Sequence, residues 1–228
     1  MKRLEGKTAL VTGGARGIGA AIAERLAADG AAVIVNYAKS AKEAEEVAAR
    51  IREAGGKAKA LKADMSDPAQ AKGLVEAAYR ELGRLDILVN NAGRADFAPL
   101  EQVDGGHIKA HFDLNVNGPI FATQAAAARF PKEGGRVINV SSVAARSAFP
   151  GAAIYSATKA ALNALTRVWA AELGPKGVTV NAVAPGPVET DMMRAAMTEE
   201  VVHSMTARTP LGRIGTPADI ADAVAFLA

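Results

Sequence analysis

The stretch Thr8-Ala-Leu-Val-Thr12-Gly13-Gly-Ala-Arg16-Gly17-Ile-Gly19 joins a short apolar run directly to a loop rich in glycine. The apolar run predicts a strand at residues 8–12, and the residues from 18 to about 29 predict a helix. Glycine lets backbone N–H groups approach a phosphate, and the amino terminus of a helix favours negative charge. The stretch therefore predicts a phosphate-binding turn, although a lone glycine-rich loop is often only a tight turn.

Strands and helices continue to alternate along the chain. Further strands are predicted at residues 32–37, 57–63, 85–89, 136–140 and 178–183. Further helices are predicted at residues 40–54, 67–82, 105–130 and 157–173, and from residue 216 onward. The alternation indicates an α/β fold, a single-domain doubly wound parallel sheet of the Rossmann type over residues 1–228, with helices on both faces. A dinucleotide would bind such a sheet at the first strand-to-helix junction.

One segment, residues 187–215, is too long for a simple connection and shows little regular pattern beyond a possible short helix near residues 192–197. Long loops in compact domains tend to be lids or binding loops. We therefore expect this segment to be a substrate-binding loop.

The composition restricts the classes of function. The 228 residues are 50% hydrophobic, and the net charge of +3 comes from basic residues spread along the chain, which predicts neither a nucleic-acid nor a membrane partner. There is no cysteine, which fits a reducing compartment, and no signal peptide or membrane span is recognisable, so we expect a cytoplasmic protein. His107 and His111 are four residues apart without a third patterned ligand, so a solvated helix face is expected and no metal.

Tyr155 and Lys159 are four residues apart, in or beside a predicted helix, so their side chains share a face. A free tyrosine has a pKa of about 10, and a nearby cation favours the phenolate and lowers that pKa. The pair is thus a candidate for general acid/base chemistry, with the Ser142 hydroxyl after the fifth strand as a second contact to the reacting oxygen. Taken alone, the spacing is better explained by a tyrosine over the core and a solvated lysine, and the other motifs of the chain reverse this preference.

These motifs occur together and in order, and with them the chain resembles the short-chain dehydrogenase/reductases over essentially its whole length. The motifs are Thr12 to Gly19, Asp64, Asn90-Asn-Ala-Gly93, Asn115, Ser142, Tyr155-x-x-x-Lys159, and Pro185-Gly186 with Thr190. The resemblance implies that Tyr155 is the catalytic acid/base and Ser142, thirteen residues before it, binds the substrate oxygen in preference to Ser141. It also implies that Lys159 binds the ribose and lowers the tyrosine pKa, and that Asn115 holds a water in a proton relay.

The resemblance further implies a set of residues that contact the cofactor. Among them, Gly13, Gly17 and Gly19 would form the loop that binds the pyrophosphate. Asp64 would contact the adenine, and Thr190 and the backbone of Val188 would contact the carboxamide of the nicotinamide. The full set is Gly13, Arg16, Gly17, Ile18, Gly19, Asn36, Tyr37, Lys39, Ser40, Asp64, Met65, Asn91, Ala92, Gly93, Tyr155, Lys159, Pro185, Gly186, Val188 and Thr190.

The end of the second strand indicates which cofactor is bound. In this fold an acidic residue there accepts hydrogen bonds from the ribose and repels a 2′-phosphate. Here the strand ends in Asn36 and Tyr37, without a carboxylate. Asn36 can donate to a phosphate, and Arg16, Lys39 and Ser40 add two cations and a hydroxyl, so NADP(H) is predicted over NAD(H). The alternative is that both cations are merely solvated and either cofactor is tolerated.

The predicted function is an oxidoreductase that interconverts a ketone and a secondary alcohol. Within the family the chain looks most like beta-ketoacyl acyl-carrier-protein reductases and related carbonyl reductases; a sugar or polyol dehydrogenase and a non-catalytic dinucleotide-binding regulator are the alternatives. The candidate pocket wall is Arg94, Phe97, Ala144, Arg146, Phe149, Met192 and Met193. An acidic carrier protein would need basic residues at the entrance, for which Arg129, Lys132 and Lys176 are candidates.

Two expectations concern the oligomeric state of the protein and the C-terminal end of its sequence. The resemblance implies a homo-oligomer, with a tetramer expected, and the small residues of the helix at residues 157–173 suit close packing of like helices. Family members normally continue past the last helix into a seventh strand, which is absent from the sequence ending at Ala228. Either further residues follow in the natural chain or the protein is truncated, and we favour the first.

Overall fold

The computed structural model describes residues 2–196 and 198–228, apart from the side chains of Met192, Ala195 and Ala196. Within these residues six parallel strands form one sheet in the order β3-β2-β1-β4-β5-β6. The strands are β1 Thr8–Val11, β2 Ala32–Tyr37, β3 Lys57–Lys62, β4 Ile87–Asn90, β5 Arg136–Val140 and β6 Thr179–Val183. The predicted fold class, a parallel α/β sheet, is confirmed.

The helices lie on both faces of this sheet. They are α1 Gly17–Ala28, α2 Ala41–Glu53, α3 Pro68–Leu82, α4 Gly105–Phe112, α5 Gly118–Ala127, α6 Ala153–Leu173, α7 Asp191–Ala196, α8 Glu199–Ala207 and α9 Pro217–Leu227. One apolar core packs α1, α2 and α9 against one face, and a second packs α3 and α5 against the other. Within the described residues, no helix combines the length and apolar character needed to cross a membrane.

The sequence of each strand explains its place in the sheet. β1 and β4 are buried at every position because neighbouring strands and helices cover them on both sides. β3 forms an edge, where exposed lysines alternate with less exposed residues. Strand order reverses between β1 and β4, and in such sheets the crevice beyond the carboxyl ends of the strands at this point binds ligands.

Two segments differ from the predicted elements. The helix expected over residues 105–130 is three pieces, because a π-helical turn, Asp113–Asn117, separates α4 from α5. The segment at residues 187–215 is more regular than predicted, since it contains α7 and α8. Its ends are joined by a parallel bridge between Val188 and Gly215, so the segment leaves the sheet and returns at one place.

Candidate active site

The glycine loop between β1 and α1 is packed too closely for larger residues. Gly13 has a φ of 62°, and a Cβ at this position would lie 2.9 Å from the Cα of Ala92. A Cβ on Gly19 would lie 2.2 Å from the Gly13 carbonyl oxygen and 2.5 Å from Nδ2 of Asn91. The glycines therefore allow the loop to press against the residues that follow β4.

Thr12 and Asn91 hold this loop to the end of β4. The Thr12 hydroxyl accepts from the backbone N–H groups of Asn91 and Ala92, both at 3.0 Å. In return Nδ2 of Asn91 donates to the carbonyls of Thr12 at 2.9 Å and Gly13 at 3.0 Å. Sequence reasoning included Asn91 among the cofactor contacts but gave Thr12 no role of its own; the polar side chain of Thr12 at the end of an apolar strand was the available signal.

The amino terminus of α1 is suited to an anion. Arg16 is the N-cap residue, and among the described contacts its side chain makes no capping hydrogen bond to the helix. The first N–H groups of an α-helix have no partner within the helix, and its dipole favours negative charge there. The exposed guanidinium of Arg16 lies in the same cleft. The free N–H groups at the start of α1 fit a dinucleotide pyrophosphate.

Asn36, expected to donate to a phosphate, has a different role. It is 1% exposed, and its Nδ2 donates to three main-chain carbonyls, of which that of Ala63 is closest at 3.1 Å. Its Oδ1 accepts from the N–H of Gly13 at 3.1 Å. Because the amide hydrogens are engaged by the protein, the prediction of Asn36 as a phosphate donor was wrong. Asn36 instead fixes the glycine loop to β2 and β3.

The hydroxyls of Ser142 and Tyr155 and the ammonium of Lys159 come together at the carboxyl end of β5. Helix α6 begins at Ala153, four residues earlier than predicted, so Tyr155 lies in its first turn and Lys159 one turn further on. Ser142 follows β5 and accepts at 3.1 Å from the N–H of Ala144. The competing hydroxyl, that of Ser141, is buried and donates to the carbonyl of Lys159 at 3.3 Å, which favours Ser142 as the substrate contact.

Burial dominates the electrostatics of this pair. It raises the pKa of Tyr155, while a hydrogen bond from the Ser142 side chain acts in the opposite direction. Burial also lowers the pKa of Lys159, which is 5% exposed, to about 8. The expected lowering of the tyrosine pKa by Lys159 is therefore not seen in this structure. The ammonium donates at 2.7 Å to the carbonyl of Val140 and lies 5.8 Å from the centre of the tyrosine ring.

Asn115 lies behind the reacting groups, in the π-helical turn, and is buried. Its Nδ2 donates to the Arg94 carbonyl at 2.9 Å and to the Thr158 hydroxyl at 3.1 Å, and its Oδ1 accepts from the Arg94 N–H at 2.9 Å. The side chain thus connects the loop after β4 to α6. Its place in a proton relay stays a prediction.

His111 lies one turn before Asn115, and the prediction that it belongs to a solvated helix face was wrong. It is 0% exposed rather than solvated. One ring nitrogen, Nδ1, lies 2.9 Å from the His107 carbonyl, and the other, Nε2, accepts at 3.1 Å from the N–H of Asp96. The described residues contain no group of three or more His, Asp or Glu side chains placed to hold a metal ion.

All the residues predicted to contact the cofactor line one open cleft of about 1410 Å³ at the carboxyl edge of the sheet. Of the predicted substrate wall, the residues that also line it are Arg94, Phe97, Ala144, Phe149 and Met193. Arg146 was predicted for this wall but is exposed and does not line the cleft. The side chain of Met192 lies outside the described residues.

Sequence reasoning missed lining residues on two helices. Lys109, Asp113 and Leu114 reach the cleft from α4 and the π-helical turn. Val201 and Met205 reach it from α8. The spacing of four residues between Val201 and Met205 was the available signal, but the helix that carries them had not been predicted.

The three basic residues considered for binding a carrier protein lie near the amino ends of the strands, on the side of the sheet opposite the cleft. Arg129 and Lys132 precede β5, and Lys176 precedes β6. In a parallel sheet the amino ends of the strands are opposite the carboxyl ends, where the cleft opens. Arg129 is moreover paired with Glu76 at 2.7 Å. These residues therefore do not border the cleft entrance.

Comparisons with known proteins agree with this geometry. The family model described as short chain dehydrogenase matches residues 7–201. The chain belongs to the short-chain dehydrogenase/reductase family, which is a family of oxidoreductases. An uncharacterized oxidoreductase of Methylorubrum extorquens is 52% identical over 230 residues, which cover 100% of this chain and 92% of the relative.

Two further similarities bear on cofactor and substrate. A hydroxynaphthalene reductase of Aspergillus fumigatus is 42% identical over 237 residues, covering 99% of this chain and 86% of that protein. A short chain dehydrogenase of Burkholderia cenocepacia, solved in complex with NADP, superposes with a TM-score of 0.93 at 44% identity and covers 98% of this chain and 91% of that one.

Proposed function

We propose that this oxidoreductase uses NADP(H) to interconvert a ketone and a secondary alcohol, with Tyr155 as the acid/base. The observation that carries the proposal is the placement of the Ser142, Tyr155 and Lys159 side chains in the same cleft as the glycine loop. A dinucleotide held by its pyrophosphate at α1 would extend along this cleft toward Tyr155. Hydride transfer and proton transfer would then act on the same carbonyl group.

In the reduction, the nicotinamide when bound supplies a hydride to the carbonyl carbon. Tyr155 donates its proton to the carbonyl oxygen, and the Ser142 hydroxyl donates a hydrogen bond to the same atom. Because burial raises the pKa of Tyr155, its phenol is protonated at neutral pH, which is the form that reduction requires. The tyrosine recovers its proton from solvent, and the product is the alcohol. Oxidation reverses these steps.

The residues at the end of β2 favour NADP(H). Arg16 and Lys39 are exposed, line the cleft and belong to no ion pair among the described residues, while Ser40 lies beside them. Asp64, which follows the neighbouring strand β3, accepts from the hydroxyl of Ser66 at 2.7 Å and from its N–H at 2.9 Å. The Burkholderia protein was solved with NADP bound, which supports the same choice of cofactor.

For the substrate, we favour a general carbonyl reductase over a 3-oxoacyl acyl-carrier-protein reductase. The basic residues considered for a carrier protein lie away from the cleft, and the relative from Aspergillus is described as a hydroxynaphthalene reductase. A sugar or polyol dehydrogenase is the next alternative, and the apolar wall of Phe97, Phe149 and Met193 disfavours it. A non-catalytic regulator would not need the Ser142, Tyr155 and Lys159 constellation.

We also propose a cytoplasmic homo-oligomer, most simply a tetramer. Val168 on α6 is 52% exposed, and Ala164 and Ala171 lie one turn away on the same helix face, which suits packing against a second copy. The lack of cysteine fits a reducing compartment. Light scattering at micromolar concentration tests the assembly, and a monomer would contradict it.

The activity is tested by following NADPH absorbance with a panel of activated ketones, ketoesters and an acetoacetyl thioester. Turnover of ketones without preference for the thioester is expected. A strong preference for the thioester would favour the acyl-carrier-protein reductase. Tight NADPH binding without turnover of any ketone would favour the regulator.

A further inference from the structure

The cleft has an apolar part of its lining, formed by Phe97, Phe149, Met193, Val201 and Met205 and called here the substrate end, which Phe97 connects to Tyr155. Phe97 stands edge-on to the Tyr155 ring, with centroids 6.3 Å apart and planes at 80°. Phe97 is 46% exposed and Val201 is 41% exposed. Exposed apolar side chains that line a cleft containing a reacting group are typical of sites for apolar ligands.

Apart from the buried Lys159, the cations that line the substrate end are each paired with a carboxylate. Arg94 donates from Nε to Asp96 at 2.8 Å, with a second contact from its other guanidinium nitrogen. Lys109 pairs with Asp113 one turn later on the same helical stretch. Asp191 adds a further negative charge to the lining. Apart from the buried Lys159, whose ammonium donates to the Val140 carbonyl, an anionic substrate would thus meet no unpaired cation among the described residues of this end.

The opposite end of the cleft has the reverse character. Arg16 and Lys39 line it and are exposed, and in the part of the chain that the structure describes neither has an ion-pair partner. The cleft therefore has one end suited to phosphates and one end suited to an uncharged apolar body. The substrate end is suited to an uncharged body because its Arg94 is paired with Asp96, and not because the end lacks an arginine.

The main chain that carries Arg94 and Asp96 is held on one side by two side chains. Asn115 binds both the N–H and the carbonyl of Arg94 at 2.9 Å. His111 accepts from the N–H of Asp96 at 3.1 Å. Because His111 and Asn115 are one helical turn apart, they fix two alternate residues of the loop. The guanidinium of Arg94 and the carboxylate of Asp96 therefore start from fixed positions next to each other.

From these contacts we infer that Asp96 determines specificity: by pairing with Arg94, it restricts the site to uncharged ketones with an apolar body and disfavours keto acids. The inference rests on the proposed ketone reduction. Removing the charge of Asp96 would leave Arg94 free to pair with a substrate carboxylate at the substrate end.

A matched pair of substrates tests this inference: methyl 4-acetylbenzoate and 4-acetylbenzoate, which share the ketone and differ in charge. The quantity measured is the ratio of kcat/KM for the ester to kcat/KM for the acid, with NADPH saturating. Wild type should favour the ester by at least about tenfold, an electrostatic difference of about 1.4 kcal/mol. Asp96→Asn should reduce this ratio at least about fivefold, roughly 1 kcal/mol on the same scale. The intrinsic reactivities of the two ketones cancel when proteins are compared.

Two further proteins sharpen the comparison. Arg94→Ala/Asp96→Asn should restore the high ratio, because the gain for the acid depends on Arg94. Asp222→Asn is the control, since Asp222 makes an exposed ion pair with Arg25 and neither residue lines the cleft; it should keep the wild-type ratio. A ratio unchanged in Asp96→Asn would overturn the role of Asp96. Absence of turnover of both substrates by every protein would overturn the ketone reduction, and this inference with it.

Discussion

The ammonium of Lys159 lies beneath the ring of Tyr155, 5.8 Å from its centre, and donates at 2.7 Å to the carbonyl of Val140. Val140 is the last residue of β5, so the sheet itself positions the charge. Tyr155 lies one turn earlier on α6, and both side chains line the cleft. The relationship explains why the two residues need the same helix face and why that helix must begin before Tyr155.

Tyr155→Phe should abolish most of the turnover while the fold and NADPH binding remain near normal. The substitution removes one hydroxyl at a half-buried position, and general acid/base catalysis contributes about 10²–10⁴-fold to rate. The measurements are kcat, the dissociation constant of NADPH and the melting temperature. Tyr79→Phe, on α3 outside the cleft, is the control and should keep wild-type kcat. More than a tenth of wild-type kcat in Tyr155→Phe would refute the assignment.

Lys159→Met should raise thermal stability at pH 7 while it impairs catalysis. Burial lowers the pKa of Lys159 from 10.5 to about 8, so the charged form is disfavoured in the folded state. The free-energy cost of burying this charge applies in full below pH 8, where it is at most about 3 kcal/mol. It decreases as the pH rises from there toward 10.5, the pKa of the lysine in the unfolded chain. Loss of the hydrogen bond to Val140 offsets part of the gain.

The measurement for Lys159→Met is the difference in melting temperature from wild type between pH 7 and pH 10. The variant's advantage should shrink as pH rises through that range. A difference that is independent of pH would show that burial of the charge does not govern the stability at this position.

Arg16→Ala should reduce the preference for NADPH over NADH. The guanidinium is expected to meet a 2′-phosphate, which NADH lacks, through charge-assisted hydrogen bonds. The measured quantity is the ratio of kcat/KM for the two cofactors with one ketone, and this ratio should fall about tenfold or more, as loss of about 1.4 kcal/mol requires. The wild-type preference should also weaken with added salt because exposed charges are screened.

Arg52→Ala is the matched control for Arg16→Ala. Arg52 is on α2, pairs with Glu45 at 2.6 Å and does not line the cleft, so its removal should leave the cofactor ratio unchanged. Equal use of both cofactors by wild type, or an unaltered ratio in Arg16→Ala, would contradict the predicted selectivity.

Asn36→Ala should lower stability and leave the cofactor ratio unchanged. The side chain joins the glycine loop to β2 and to the strand end at Ala63 through buried hydrogen bonds. Leaving such groups unsatisfied costs about 1–3 kcal/mol, which corresponds to roughly 2–12 °C in melting temperature for a chain of this size. A shift in the NADPH to NADH ratio without loss of stability would instead support a direct contact to the phosphate.

The order of strands and helices follows from local pattern. Apolar runs such as that of β1, the glycines that allow the loop after it, and the Asp67 cap with Pro68 at the start of α3 are signals that neighbouring residues provide. The spacing of Tyr155 and Lys159 likewise depends only on the periodicity of a helix. For these reasons the sequence by itself determined the fold class and which residues, predicted to contact a cofactor, line one cleft.

Tertiary structure decided what each polar side chain does. Asn36 is a neutral residue at a strand end in the sequence, and only the approach of Gly13 and of the chain after β3 shows that its amide is engaged. His111 is buried because the loop after β4 folds over α4, a contact between residues 15 positions apart. The pairing of Arg94 with Asp96 depends on that same loop conformation. Burial and partners of this kind arise from packing between distant segments, which a local pattern does not encode.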